Sequence, residues 1–190
     1  MFTLELAGRK IHSVFQPIYS FSNQACVGAE ALVRGVNIST QENLSAYECL
    51  KKPESLSEIE FAEKINQLHL KNWTQEKEAN SWIFLILDFD NLSSLDDLCL
   101  KEIIDSLSIL GRELVVEVVE NEIRDEELFD NLIQHLRGMG CLIALDDFGA
   151  GHSNIDRIWK AEPDIVKLDR QVLLAATKSL RGESILRNLC

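Results

Sequence analysis

The residues best suited to chemistry in this sequence are carboxylates that recur at a fixed spacing. Asp88, Glu117 and Asp146 lie 29 residues apart in turn, and Asp147 follows Asp146 directly. Adjacent carboxylates can hold two divalent cations about 3.5–4 Å apart, with a hydroxide between them as the nucleophile. That arrangement suits in-line phosphoryl chemistry. The spacing therefore predicts a hydrolytic metal site assembled from several segments of the chain.

Glu30 belongs to the same group, and Arg34 follows it on the same face of an alternating segment. If these carboxylates share one mouth, they cannot all remain ionised without cations among them. Oxygen ligands favour Mg²⁺ or Mn²⁺ over Zn²⁺, and the four histidines are too dispersed to offer another cluster. We therefore expect two Mg²⁺ or Mn²⁺ ions as cofactors.

The elements that must position these residues alternate along the chain. Apolar runs indicate strands at 82–89, 114–119, 142–145 and 164–168, and helical patterns occupy 94–110, 125–137, 153–160 and 170–177. Continuous apolar strands separated by helices indicate a parallel sheet that is covered on both faces. Two earlier strands are predicted at 12–19 and 24–35, and helices at 44–50 and 56–73.

Each predicted strand is apolar until its carboxyl end, where an acidic residue or a lysine appears. Charged residues at every strand end favour a (β/α) barrel, because the carboxyl ends of all its strands converge on one rim. An open, doubly wound sheet is the alternative, but it would concentrate ligands at a single switch point.

Several of these residues also have a purely structural explanation. An acidic residue at a strand end can cap a helix or lie in a solvated loop, and the run 146–151 can form a glycine-rich turn. Lys167 can be a Schiff-base lysine or the ion-pair partner of a neighbouring acid. The sequence alone leaves these alternatives open.

Composition limits the classes of partner. The chain has 190 residues, of which 46% are hydrophobic and 26% charged, and its formal net charge is −12. This composition excludes a disordered chain, and the negative charge disfavours nucleic acid polymers and acidic membranes. No apolar run approaches the ~20 residues of a membrane helix. The five scattered cysteines indicate reduced thiols and a cytoplasmic location.

Five motifs in order carry a family resemblance between residues 14 and 169: Phe15–Ile18, Glu30–Arg34, Glu117–Glu120, Asp146–Gly151 and Lys167–Asp169. Together they resemble the EAL-domain cyclic di-GMP phosphodiesterases. The resemblance implies a TIM-type (β/α)₈ barrel with an antiparallel first strand. It also implies metal-dependent hydrolysis of cyclic di-GMP to linear pGpG in bacterial second-messenger signalling.

The resemblance assigns roles to residues of this chain. It implies catalytic roles for Lys167 and Asp147, and substrate-binding roles for Gln16, Leu32 and Arg34. The implied metal ligands are Glu30, Asp88, Glu117, Asp146 and Asp147. The family has an Asn at the position for which Asp88 and Asn91 compete here, and strand spacing favours Asp88.

Departures from the family pattern support a second hypothesis. Val119 replaces a Thr, and Ala150 and His152 alter the loop that orders the metals and the dimer in the family, so a homodimer is left open. Residues 1–190 correspond to a single EAL-like domain that lacks the last one or two β/α units, so we expect the isolated chain to hydrolyse weakly or not at all. The alternative is a degenerate domain that binds cyclic di-GMP or a protein partner without turnover.

Overall fold

The computed structural model describes residues 1–76, 81–86, 113–118, 126–149 and 162–189. Its strands are β1 (Thr3–Leu6), β2 (Arg9–Ser20), β3 (Ala25–Asn37), β4 (Asn43–Leu44), β5 (Trp82–Ile86), β6 (Leu114–Val118), β7 (Leu142–Phe148) and β8 (Ile165–Leu168). Its helices are α1 (Ala46–Leu50), α2 (Glu58–Glu76), α3 (Glu126–Gly138), α4 (Arg170–Ala176) and α5 (Leu180–Leu189). Among these helices, none is both long and apolar enough to cross a membrane.

The strands form one sheet in the order β1-β2-β3-β5-β6-β7-β8, and β4 pairs with β3. Strands β1, β2 and β3 are antiparallel neighbours, whereas every pair from β3 to β8 along this order is parallel. This mixed sheet agrees with the expected parallel α/β architecture that begins with an antiparallel strand.

The predicted strands and the observed ones coincide wherever the structure describes them. The segments predicted at 12–19 and 24–35 are β2 and β3, and the four apolar runs are β5 to β8. The sequence missed β1 and β4, which have four and two residues and are too short to show a pattern. The predicted helices 94–110 and 153–160 lie outside the described residues.

The two faces of β2 and β3 have different partners. Ala29 and Ala31 of β3 pack in a cluster with Trp73 of α2, and the rings of Phe15 and Trp73 lie 5.2 Å apart. Because side chains alternate along a strand, the intervening residues, among them Glu30, lie on the opposite face of the sheet. Helix α2 therefore covers one face of the hairpin and leaves the other face to the candidate site.

A buried group of polar side chains joins this hairpin to α2. Ser13 Oγ lies 3.0 Å from His69 Nδ1, and Asn72 Nδ2 donates to the same Ser13 oxygen at 3.3 Å. Asn72 also holds Phe2, accepting from its main-chain nitrogen at 2.7 Å and donating to its carbonyl oxygen. Burial lowers the pKa of His69 to about 4, so the ring is neutral at pH 7.

The start of β8 is held in place by hydrogen bonds from two other elements. The Asp164 main-chain nitrogen donates to the Ile143 oxygen, and Asp164 Oδ2 accepts from the Ile143 nitrogen, both at 2.9 Å. Arg137, in the last turn of α3, pairs with Glu162 at 3.4 Å. These contacts fix where β8 begins and hence where Lys167 lies along it.

We predict that His69 makes stability fall in mild acid. An unfolded histidine has a pKa of about 6.5, so between that pH and about 4 the unfolded chain binds the extra proton. Stability is therefore complete above about pH 6.5 and declines as pH falls toward 4. Between pH 7 and pH 5, the free energy of unfolding in urea should fall by about 2 kcal/mol more in the wild type than in His69→Gln.

The carboxylates that titrate in the same range contribute equally to both proteins, so the difference between the two slopes isolates His69. Parallel slopes would contradict the prediction. An NMR titration of the wild type provides the second measurement, and a His69 ring that becomes charged between pH 7 and pH 5 would contradict it as well.

Candidate functional site

Three carboxylates from three strands meet at one ammonium. Lys167 Nζ of β8 lies 3.0 Å from Glu30 Oε2 of β3 and 3.0 Å from Asp146 Oδ1 of β7. It also donates a short hydrogen bond to Glu117 Oε1 of β6. The Lys167 side chain is 13% exposed and that of Glu117 is completely buried. The ion-pair explanation for Lys167 is therefore the one observed.

The period of two along each strand explains why these acids meet. Val115 of β6 and Ala144 of β7 pack in a cluster around Phe84 on the inner face of the sheet. Glu117 and Asp146 follow two residues later on the same strands and so point to the same face. Because neighbouring strands are parallel, their carboxyl ends lie at one edge, and the acids arrive there together.

In this cluster, burial and ion pairing shift the pKa values of the side chains in opposite directions. Burial raises the pKa of Glu117 to about 7, while the Lys167 ammonium lowers it and the neighbouring Glu30 and Asp146 raise it. For Lys167, burial acts to lower the pKa, but the nearby carboxylates, Glu117 foremost, hold it above its ordinary value. A charged lysine in this position lacks the depressed pKa that a Schiff-base lysine needs.

One oxygen of the cluster lacks a hydrogen-bond partner in the part of the chain that the structure describes. Glu117 Oε2 is buried and accepts no hydrogen bond from the described residues. A buried polar atom without a partner is costly, so such an atom indicates a missing ligand or water. Within the described ranges, no three Asp, Glu, His or Cys side chains are arranged to hold a metal ion as they stand. The oxygen-only donors around Lys167 nevertheless fit a hard divalent cation.

A bulge in β7 presents the paired aspartates. The β7–β8 register shifts between Leu145 and Phe148, so that two residues of β7, Asp146 and Asp147, lie opposite one residue of β8, Lys167. Asp147 has a φ of 54°, and its main-chain nitrogen donates to Asp146 Oδ1 at 2.9 Å. Bulges of this kind re-aim side chains beside active sites. Alternation from Ala144 already points Asp146 toward the ammonium, and the bulge places the adjacent Asp147 at the exposed edge.

The Asp147 carboxyl group is influenced by its neighbours. Partial burial, followed by the negative charges of Asp146 and Asp169, raises the pKa of Asp147 above its ordinary value. Asp169 itself caps α4, because its Oδ1 accepts from the Gln171 nitrogen at 2.6 Å. Asp169 is thus an acidic residue at a strand end with a structural role.

The predicted substrate-binding residues lie in a row beside this cluster. Gln16 is opposite Glu30 in the β2–β3 register, and Leu32 and Arg34 follow Glu30 on the same face of β3. Gln16 and Arg34 are exposed and Leu32 is half-buried. The Arg34 guanidinium donates to the Val33 carbonyl oxygen at 2.7 Å. Asp88 and its competitor Asn91 lie outside the described residues.

His12 is a residue of this face that sequence reasoning missed. It is the direct partner of Arg34 across the β2–β3 hairpin, and it is half-buried. Directly opposite residues in an antiparallel pair have Cβ atoms about 5 Å apart, so the two side chains start from neighbouring positions on the same face. Counting outward along both strands from the turn at residues 21–24 pairs His12 with Val33, and the register shift between Ile18 and Tyr19 moves His12 opposite Arg34.

Several known proteins resemble this chain in sequence or in fold. The sequence model of the EAL domain family matches residues 2–190. A relative in Escherichia coli (strain K12), named "Probable cyclic di-GMP phosphodiesterase PdeB", is 27% identical over 172 residues. That match covers 87% of this chain and 33% of the relative.

Two solved structures have the same fold. The Bacillus subtilis YkuI protein with an EAL domain, in complex with c-di-GMP and calcium, gives a TM-score of 0.66 at 25% identity, covering 86% of this chain and 41% of that one. A calcium/cy-diGMP complex of Klebsiella pneumoniae BlrP1 gives 0.74 at 23% identity, covering 100% and 48%. The chain thus spans less than half of each of these proteins. The expected fold class, a TIM-type barrel, is confirmed.

We predict that the bulge in β7 requires the left-handed backbone conformation of Asp147. Asp147→Gly and Asp147→Ala remove the same carboxylate, but only glycine adopts a positive φ without strain. In EDTA, urea unfolding should show the glycine variant to be more stable than the alanine variant by about 1 kcal/mol. Equal stabilities, or a more stable alanine variant, would contradict this role for the backbone.

Proposed function

Because this chain belongs to the EAL domain family, we propose that its protein hydrolyses cyclic di-GMP to linear pGpG in bacterial second-messenger signalling. The observation that carries the proposal is the meeting of carboxylates from three strands at Lys167, with one buried oxygen of Glu117 that has no partner among the described residues. The relative and the solved structures above are named for cyclic di-GMP or contain it, which supports the same substrate.

The metal ligands in this proposal are Glu30, Glu117, Asp146 and Asp147, together with Asp88 from the chain outside the described residues. When bound, Mg²⁺ or Mn²⁺ ions supply Lewis acidity toward the phosphodiester. We propose two ions, because the adjacent Asp146 and Asp147 offer two carboxylates within the bulge. The manganese and calcium in the solved BlrP1 complexes support divalent metal use.

The residues of the chain then bind and orient an anionic substrate on an acidic protein. Arg34, which lies on the site face with its guanidinium exposed, binds a phosphate of the dinucleotide, and His12 is placed to support it. Gln16 and Leu32 line the same row. Lys167 is within reach of a reacting phosphate oxygen or its attacking water, to which its charged ammonium donates a hydrogen bond.

The proposal also covers the cellular compartment in which the domain functions. Cys26, Cys49 and Cys141 are unpaired thiols in the part of the chain that the structure describes. Unpaired thiols are typical of a reducing compartment, so we propose that the domain functions in the cytoplasm.

The test uses the full-length protein with cyclic di-GMP and Mn²⁺. We expect linear pGpG as the product by chromatography, and no product in EDTA. Asp146→Asn removes one charge from the site, so we expect at least about tenfold weaker Mn²⁺ binding by calorimetry and a matching loss of turnover. Asp130→Asn is the matched control, because Asp130 is exposed on α3.

Each other outcome has a definite meaning. Binding of cyclic di-GMP without turnover would replace the proposed enzyme with a regulatory binding module. Neither binding nor turnover would exclude cyclic di-GMP as the ligand. An Mn²⁺ affinity that Asp146→Asn leaves unchanged would show that the metal site lies elsewhere.

A further inference from the structure

The Lys167 ammonium lies within the carboxylates that the proposed function assigns to metal ions. Its three partners come from three different strands, and their side chains are no more than 15% exposed. A single ammonium is thus set against three acidic side chains in a largely buried volume. A site with this excess of acidic groups holds one cation already and is suited to receive a divalent one.

We propose that Lys167 is a built-in counter-ion that stabilises the metal-free site and limits its affinity for divalent cations. This inference rests on the metal site of the proposed function. It adds a role for the lysine that is independent of any contact with substrate. In the absence of metal, the ammonium holds Glu30 of β3, Glu117 of β6 and Asp146 of β7 together. In the presence of metal, the ammonium and the metal share the same acids.

The two oxygens of Glu117 show how this sharing arises. Oε1 accepts the hydrogen bond from Lys167, whereas Oε2 is buried and lacks a partner among the described residues. A cation that binds Oε2 occupies the other side of a carboxylate already paired with an ammonium. Two positive charges then lie within a few ångströms of each other, unless the lysine moves aside and gives up its acidic partners.

The repulsion between these charges sets the sign of the effect. The Coulomb repulsion between a unit charge and a divalent ion a few ångströms apart is larger than the free energy that corresponds to a tenfold change in affinity. This holds even at an effective dielectric constant of about 20. Removing the ammonium should therefore tighten metal binding. The same removal leaves three buried acids uncompensated in the metal-free protein, which should lower its stability.

The bulge and the anchored start of β8 make the competition specific to Lys167. The hydrogen bonds between Asp164 and Ile143 fix the register of β8, and the bulge sets Asp146 and Asp147 opposite Lys167. Lys178 lies beyond α4 and is exposed, so it shares the charge of Lys167 but none of its acidic partners in the described structure. Lys178→Met is therefore the matched control.

The experiment compares Lys167→Met, Lys178→Met and the wild type as full-length proteins without nucleotide. Calorimetry with MnCl₂ should show that Lys167→Met binds Mn²⁺ at least about tenfold more tightly than the wild type, and that Lys178→Met binds it as the wild type does. Thermal unfolding in EDTA should give a lower Tm for Lys167→Met alone. Saturating Mn²⁺ should raise the Tm of Lys167→Met by more than that of the wild type.

Unchanged or weaker Mn²⁺ binding by Lys167→Met would overturn the inference, because it would show that the ammonium organises the ligands rather than competing with the metal. If Lys167→Met is unfolded in EDTA, circular dichroism during an Mn²⁺ titration replaces the first comparison. Refolding with added Mn²⁺ supports the inference, and failure to refold at saturating Mn²⁺ overturns it.

These outcomes are separate from those of the proposed function. A wild type that binds Mn²⁺ but does not hydrolyse cyclic di-GMP contradicts the proposed function and leaves the inference intact. A wild type that hydrolyses cyclic di-GMP, combined with a Lys167→Met variant that binds Mn²⁺ no more tightly, contradicts only the inference.

Discussion

The structure of the site depends on keeping three carboxylates close together in a place that water hardly reaches. Like charges at such distances repel strongly when they are buried, so the arrangement requires a cation among them. Lys167 provides that cation from a fourth strand. Because each partner comes from a different strand, this electrostatic requirement links the positions of β3, β6, β7 and β8 to one another.

Strand register is the means by which the sheet meets this requirement. A one-residue slip would turn Lys167 or Glu117 to the other face, where helices pack. At β3, Gly28 allows close approach to β5, because a Cβ atom there would lie 2.0 Å from the Trp82 carbonyl oxygen. Glu30 follows two residues later, so the tight contact at Gly28 helps to place the first carboxylate.

The sequence predicted the parts of this arrangement that depend on periodicity. The apolar runs that form β6 and β7 located Glu117 and Asp146 near strand ends, and parallel pairing brings them together. It could not predict that Asp146 and Asp147 oppose a single residue of β8, because a bulge depends on the conformation of Asp147. Nor could it choose between the roles of Lys167, since ion pairing depends on distances between strands far apart in sequence.

The same limit explains why His12 was missed while Arg34 was singled out. Arg34 belongs to a recognisable motif, whereas His12 gains its position only through the register of the hairpin. An acidic protein with a net charge of −12 must concentrate positive charge locally to hold an anionic ligand. Arg34 lies on the exposed rim and Lys167 in the buried centre. In the described structure Arg34 donates to a neutral carbonyl oxygen, that of Val33, so it can turn to a phosphate without breaking an ion pair. The buried lysine instead pairs with acids that a bound metal must share.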